Sequence, residues 1–513
     1  MPKRDTTTDG LEPQTPEVDP LKRLAGQTAV YGLSSIVGRL LNYLLVPLYT
    51  HVFLTSQYGV VTIMYSYVAF LIVILTYGME TAFFRFSEAR PGEKQVVFGT
   101  SLLSVLFTSL LFVLATTFFR QPIAGALRFP DHPEYILWFG LILGMDALSA
   151  IPFARLRSEN KAFRFAGIKL VNIGVNIGFN LFFLLLCPWL LEGGPEMLKG
   201  PVSAVYNPSI GVGYVFISNL IASGVTLLLL LPVMFRARPV FSPALWRQML
   251  IYALPLLVAG LAGVVNESLD KLLLNHLLPS ETAMSQVGIY GACYKISIMM
   301  TIFIQAFRFA AEPFFFSQAS RKDARQMYAR IMKYFVLACL LIFLGIMLFM
   351  DIVQYFVGPA YREGLGVVPI LLLANMFLGI YFNLSIWYKL DGQTRFGAWF
   401  ALAGAVLTIV LNIWWIPLIG YHGSAWATLA CYVFMAALSF GFGQKHFPIP
   451  YETGRILGLI AAAVLIYLAS GLISGLPRLA GYALNMGWIG LFLFSANLID
   501  PSLKELAAGL RKR

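Results

Sequence analysis

The stretch VVNESLDKLLLNHLL, residues 264–278, sets three charges, Glu267, Asp270 and Lys271, inside an otherwise apolar run. Glu267 precedes Asp270 by three residues and Lys271 by four, so the three share one face of a helix. The next apolar run carries Lys295 and Arg308, with Tyr290 and Tyr294 one turn apart beside the lysine. Arg39, Lys169, Glu80 and Asp146 interrupt other apolar runs. A charge at the bilayer centre costs about 2.5–3.5 kcal/mol on insertion scales, so such residues face a cavity or a partner. Arg and Lys bind phosphate oxygens, the first as a planar fork and the second as a point charge. The Asp270–Lys271 pair reads either as a static anchor or as part of a gate, with Glu267, Glu80 and Arg308 as further gate residues. Asp146 either pairs with Lys169 or holds a coupling cation, Na+ or H+. The two tyrosines either stack on sugar rings or belong to an interfacial aromatic belt. ATP hydrolysis and zinc chemistry lack their signatures, since there is no Walker P-loop, H-E-x-x-H or D-x-D.

The elements that position these residues are membrane helices. Of 513 residues, 58% are hydrophobic and 12% charged, and mean hydropathy is +0.74; a soluble domain carries about twice that share of charge. About fourteen segments reach the roughly 20 apolar residues that a spanning helix needs. The class is therefore an all-α polytopic membrane protein, placed in a plasma membrane. The net charge of +12 does not imply nucleic acid. With both termini set in the cytoplasm, 27 Lys and Arg fall on the inner side. Only Arg120, Arg128, Lys199, Arg362 and Arg478 fall on the outer side, as the positive-inside rule requires. Residues 1–20 are polar and give no cleavable signal. The four cysteines lie far apart, without metal or disulfide spacing.

The chain also repeats itself. Tyr31 matches Tyr252, Tyr58-Gly59 matches Val287-Gly288, and Asn180 matches Asn412, each match bridging six spans. Six is even, so the two halves run parallel. The expected organisation is a polar tail, 1–24; a six-helix lobe, 25–236; a linker, 237–247; a second six-helix lobe, 248–446; two additional helices, 447–500; and a basic tail, 501–513. An outer loop at 188–208 has no counterpart in the second half. Asn172, Asn176 and Asn180, spaced by four, read as helix-packing residues.

On Asp270-Lys271, VGIYGACYKI at 287–296 and the opening GLSSIVGRLLNYLLVPLYTHVF, the sequence resembles the oligosaccharide flippase branch of the multidrug/oligosaccharidyl-lipid/polysaccharide exporter superfamily. That resemblance implies two lobes around a central cavity, alternating access, and a polyprenyl-pyrophosphate-linked saccharide as cargo in a bacterial inner membrane. It also implies a groove for the lipid tail at the last two helices. Expected partners are that lipid-linked saccharide, membrane lipids, and a polysaccharide polymerase with glycosyltransferases; no cofactor is implied. A multidrug/cation antiporter is the alternative, disfavoured by Arg39, Lys271 and Lys295. A membrane polymerase or lipid-linked glycosyltransferase is disfavoured by the short outer loops. Arg39 and Lys295, at similar depth on the first and eighth spans, are expected to grip one pyrophosphate, with Lys271, Tyr290 and Tyr294 beside it; the alternative for Arg39 is a structural pair with Glu267 or Asp270. The topology has a direct test. A membrane-impermeant thiol reagent should label single cysteines placed in 188–208 and leave those in 321–333 unlabelled in intact cells; the reverse pattern overturns the orientation.

Overall fold

Backbone amides and carbonyls inside a bilayer have no water to bond, so the spanning segments must satisfy them internally as helices. The computed structural model follows that rule and describes residues 37–38, 40–236, 240–473 and 477–500. The two tails and Arg39 lie outside the described residues, as do parts of the first expected span and of the 237–247 linker. Among the described residues, thirteen helices are long and apolar enough to cross a membrane, preceded by a shorter apolar helix. In chain order they are α1 (Leu40–Val52), α2 (Thr55–Ala89), α3 (Pro91–Phe118), α4 (Pro133–Ser158), α5 (Ala162–Gly193), α6 (Gly213–Met234), α7 (Pro243–Leu277), α8 (Ser280–Gln318), α9 (Ala324–Leu348), α10 (Pro359–Leu390), α11 (Arg395–Ile419), α12 (Tyr421–His446), α13 (Thr453–Ser470) and α14 (Arg478–Ile499). Every expected span has its helix, the first only over its described part. The 188–208 loop is itself largely helical, with a ten-residue helix over Glu196–Val205.

Large apolar side chains stay exposed in stripes at helical spacing. Val406, Val410, Trp414 and Leu418 on α11 recur every four residues, and Phe107, Leu111, Leu114 and Phe118 line α3 in the same way. Such stripes on an outer surface fit contact with lipid.

The internal repeat reappears as equivalent bonds. Asn176 of α5 donates to Asn42 of α1, and Thr408 of α11 donates to Asn266 of α7, both at 3.2 Å. Asn180 and Asn412 each bond back to the carbonyl four residues earlier at 2.8 Å. Glu80 of α2 pairs with Arg157 of α4; Glu312 of α8 pairs with Lys389 of α10. The turns after α4 and α10 each place one residue at positive φ, Asn160 and Gly392. One and the same offset leads from Glu80 to Glu312, Arg157 to Lys389, Asn160 to Gly392 and Asn180 to Asn412.

The helices of the two repeats meet where α2 crosses α8. A Cβ on Gly59 would sit 2.0 Å from the Met284 carbonyl oxygen, and one on Gly288 would sit 1.9 Å from that of Thr55. Only glycine permits this approach. Thr55 and Ser285 hydroxyls bond at 2.7 Å beside the crossing. At the same end Tyr361 donates to the Phe53 carbonyl at 2.9 Å, and Arg128 donates to the carbonyls of Leu278 and His276 at 3.0 and 3.2 Å.

The last two helices are tied to α9 by four charges that sequence reading does not single out. Lys333 pairs with Asp500 and, at 3.2 Å, with Glu452; Arg455 reaches Glu452 at 2.6 Å and Asp500 at 3.5 Å. Lys333 and Asp500 are buried. Burial works to raise the Glu452 carboxyl, but hydrogen bonds from Arg455 and Lys333 outweigh it and hold it below the usual carboxylate range. Its stabilising contribution is therefore present above the unfolded carboxylate pKa and fades as pH falls through the lower folded value. Two outcomes follow. Gly288→Val should lower the unfolding midpoint in detergent, whereas Gly481→Ala, at a glycine with open space around it, should leave it nearly unchanged. Lys333→Ala should cost about 3 kcal/mol, the low end for a broken buried pair because Arg455 still reaches Asp500, and should expose α13–α14 to proteolysis first.

Candidate functional site

A cavity of about 530 Å³ lies among α1, α7, α8, α10 and α12. Its longest wall is one face of α8. Tyr294, Lys295, Ile298, Thr301, Gln305 and Arg308 point into it at helical spacing. Asn42 and Tyr43 of α1 close another side, Asn375 and Phe382 of α10 a third, and Glu267 of α7 and Tyr432 of α12 complete the ring. Apart from Glu267, the charged residues lining it are cations.

Of the residues expected in the site, Lys295, Tyr294, Glu267 and Arg308 line this cavity. Arg39 lies outside the described residues. Lys271, expected as a phosphate contact, is instead withdrawn behind the wall. Its ammonium lies 3.0 Å from Asp270 Oδ1 and 3.2 Å from the Glu267 carbonyl, over the Tyr294 and Tyr290 rings at 4.1 and 5.5 Å. Asp270 Oδ2 accepts the Tyr290 hydroxyl at 2.7 Å, and Tyr290 is fully buried. Neither Asp270 nor Tyr290 reaches the cavity. The three form one enclosed unit in which each polar group has a partner, as burial requires. The reason is helical geometry: Glu267 and Lys271 share a face, but the lysine stem turns back toward its own carboxylate neighbour and the rings of α8.

Of the further gate candidates, Glu80 pairs with Arg157 and Arg308 faces the cavity. Arg85 stacks on Tyr252 at 4.2 Å, and Arg308 on Phe382 at 4.0 Å. Asp146 and Lys169 both stand away from the cavity. Asp146 lies in the interior of α4 near Ser223 and Tyr65, and Lys169 sits over the Phe153 ring at 4.4 Å without an ion pair to it. Of the three α5 asparagines, Asn172 bonds to Thr226 of α6 and Asn176 to α1, while Asn180 accepts from Tyr49 of α1 at 2.9 Å, which is the packing role expected of them. All four cysteines are buried and free.

Sequence reading misses Asn42, Asn375, Thr301 and Gln305 as lining residues. The last two are detectable, because counting turns from Lys295 to Arg308 passes through both. Asn42 and Asn375 carry no such signal, since their facing depends on how α1 and α10 pack against α8.

The enclosed pair has a measurable signature. Lys271→Met leaves the Asp270 carboxylate buried without a cation, held only by the Tyr290 hydroxyl and the backbone amide of residue 271, and should cost about 3–5 kcal/mol. The double change Asp270→Asn with Lys271→Met should be markedly less destabilising than the sum of the single changes. Additive losses in thermal unfolding would show that the pair is not a coupled unit.

No protein-family model and no curated protein matches the sequence. Solved structures do match. The lipid II flippase MurJ, in its inward closed conformation, superposes over 92% of this chain and 99% of its own, with a TM-score of 0.71 at 14% identity. A multidrug resistance MATE family transporter of the MOP superfamily matches in its inward-facing form over 83% of this chain and 97% of its own, with a TM-score of 0.62 at 15% identity. The outward-facing form covers 84% and 96%, with a TM-score of 0.57 at 16% identity. At such identities the likeness lies in the fold: this chain shares the fold of the lipid II flippase and of the MATE transporter, and the flippase superposes over more of it.

Proposed function

We propose that the chain is a flippase that moves a polyprenyl-pyrophosphate-linked oligosaccharide across the bacterial inner membrane by alternating access, for surface-polysaccharide or cell-envelope synthesis. Residues 25–236 and 248–446 act as the two lobes, with both termini in the cytoplasm. The observation that carries this reading is the cavity wall on α8. Lys295 and Arg308 face the same cavity, and among the described residues neither has a carboxylate within ion-pairing distance. Cations left unpaired in a partly desolvated cavity favour an anionic cargo. Lys295 takes the pyrophosphate, with Arg39 as its partner from the first span.

Further support comes from the second half of the chain. An apolar groove of about 360 Å³ runs between α9, α10, α12 and α13, lined by residues such as Met332, Ile380, Ile456 and Ile460. A groove of this composition suits a polyprenyl chain. The extra coverage of the chain by the lipid II flippase, relative to the MATE proteins, is about the size of the α13–α14 pair, whose first helix forms one side of the groove. An antiporter of cationic drugs would work against the charge of this cavity. A coupling cation, Na+ or H+, finds its candidate carboxylate in Asp146, and the polymerase and glycosyltransferases that make and consume the cargo are the natural partners.

The test is binding. Lys295→Ala and Arg39→Ala should each weaken binding of undecaprenyl pyrophosphate to the purified protein about tenfold or more, the loss of one charge-assisted bond. Arg39→Lys should retain part of it. Wild-type affinity in both alanine variants would remove the pyrophosphate site.

A further inference from the structure

Lys295 and Arg308 stand on the same wall but more than three helical turns apart. A pyrophosphate is far shorter than that, so it cannot engage both cations at once. The nearby carboxylates are otherwise committed: Glu312 to Lys389, and Asp270 to Lys271. Glu267 faces the cavity at the Lys295 end, without an ion pair to it. Arg308 is therefore a second cationic centre, remote from the first.

Its surroundings define what it would hold. The guanidinium carbon lies 4.0 Å from the Phe382 ring centroid, a cation–π contact that holds the charge at this end of the wall. A guanidinium carries a planar fork of donors, the arrangement that meets a carboxylate in a bidentate pair. Between the two cations the α8 wall offers Thr301 and Gln305, and Asn42 and Asn375 face them. These are uncharged donors and acceptors, suited to sugar hydroxyls and unsuited to stabilising a travelling phosphate between the two ends.

We infer that the saccharide carried in this cavity bears its own carboxylate, bound by Arg308, so that the cargo is an acidic lipid-linked saccharide with one anion at each end of the α8 wall. The inference rests on the pyrophosphate reading above and narrows it. Its rival is a relay, in which one pyrophosphate visits Lys295 and Arg308 in turn.

The experiment measures binding of three probes to the full-length protein in lipid nanodiscs: undecaprenyl pyrophosphate alone, the same lipid carrying a neutral oligosaccharide, and the same lipid carrying an oligosaccharide that contains a uronic acid. Wild type should bind the acidic probe about tenfold or more tightly than the neutral one. Arg308→Gln should bring the acidic probe to the level of the neutral one and leave the other two unchanged. Arg308→Lys, which keeps the charge and guards against misfolding, should keep part of the preference. Lys295→Gln should weaken all three probes alike. Equal wild-type binding of the acidic and neutral probes overturns the acidic-cargo inference and leaves the pyrophosphate reading standing. Loss of bare undecaprenyl pyrophosphate binding in Arg308→Gln does the same, in favour of the relay. If Lys295→Gln binds all three as wild type does, the pyrophosphate reading falls, and the inference with it.

Discussion

Charge inside hydrocarbon must be neutralised or must open onto water, and the architecture of this protein can be read as the working out of that constraint. Glu80 meets Arg157, Glu312 meets Lys389, and Asp270 meets Lys271 under a tyrosine lid. Lys333, Asp500, Glu452 and Arg455 form one cluster. Each of these sets ties two helices, or one helix to its neighbour, at a place where lipid-facing leucines could not fix register. Lys295 and Arg308 stand apart from them, on the α8 wall of the cavity. Paired charges build the frame, and these two charges face open space within it.

The enclosed Asp270–Lys271 unit illustrates why such pairs specify rather than simply stabilise. Replacing a buried ion pair by apolar side chains is often neutral or stabilising, while removing one partner is costly. The pair therefore does little for net stability and much for geometry: it locks the end of α7 against α8 through Tyr290 and Tyr294. The Gly59–Gly288 crossing fixes the same end of the bundle by backbone contact, so two unlike interactions hold the start of α8, one to α7 and the other to α2.

The fold is legible in the sequence because a spanning helix announces itself by length and hydropathy, with no knowledge of its neighbours. The repeat is legible too, and Asn180 and Asn412 occupy equivalent bonds. Along a single helix, facing can be counted, which is why Tyr294, Lys295 and Arg308 stand out together. Pairing between helices cannot be counted. The partners of Glu80 and Glu312 lie 77 residues further on in both cases, and nothing local marks Arg157 or Lys389 among the basic residues that end helices. The cluster on Lys333 is hidden for the same reason, and because residues at span ends read as ordinary interfacial charge. Lys271 departs from its expected place because helical periodicity gives the direction of a Cβ, whereas a long lysine stem chooses its own end point.

The α2–α8 crossing is self-complementary: Gly59 meets Met284 as Gly288 meets Thr55, and the step from Gly59 to Gly288 equals that from Thr55 to Met284. Contacts of that kind are the signature of a two-fold pair of identical chains, in which any substitution is forced to appear twice. Covalent fusion lifts that restriction. Here the step of the crossing carries Lys295 back onto Ser66, and the step from Glu312 to Glu80 carries Arg308 onto Thr76, both uncharged. Two identical subunits would have to carry such cations on both helices of the crossing. A single chain can charge α8 and leave the equivalent positions of α2 neutral, so that, among the described residues, the cations that face the cavity come from one repeat and not from its twin.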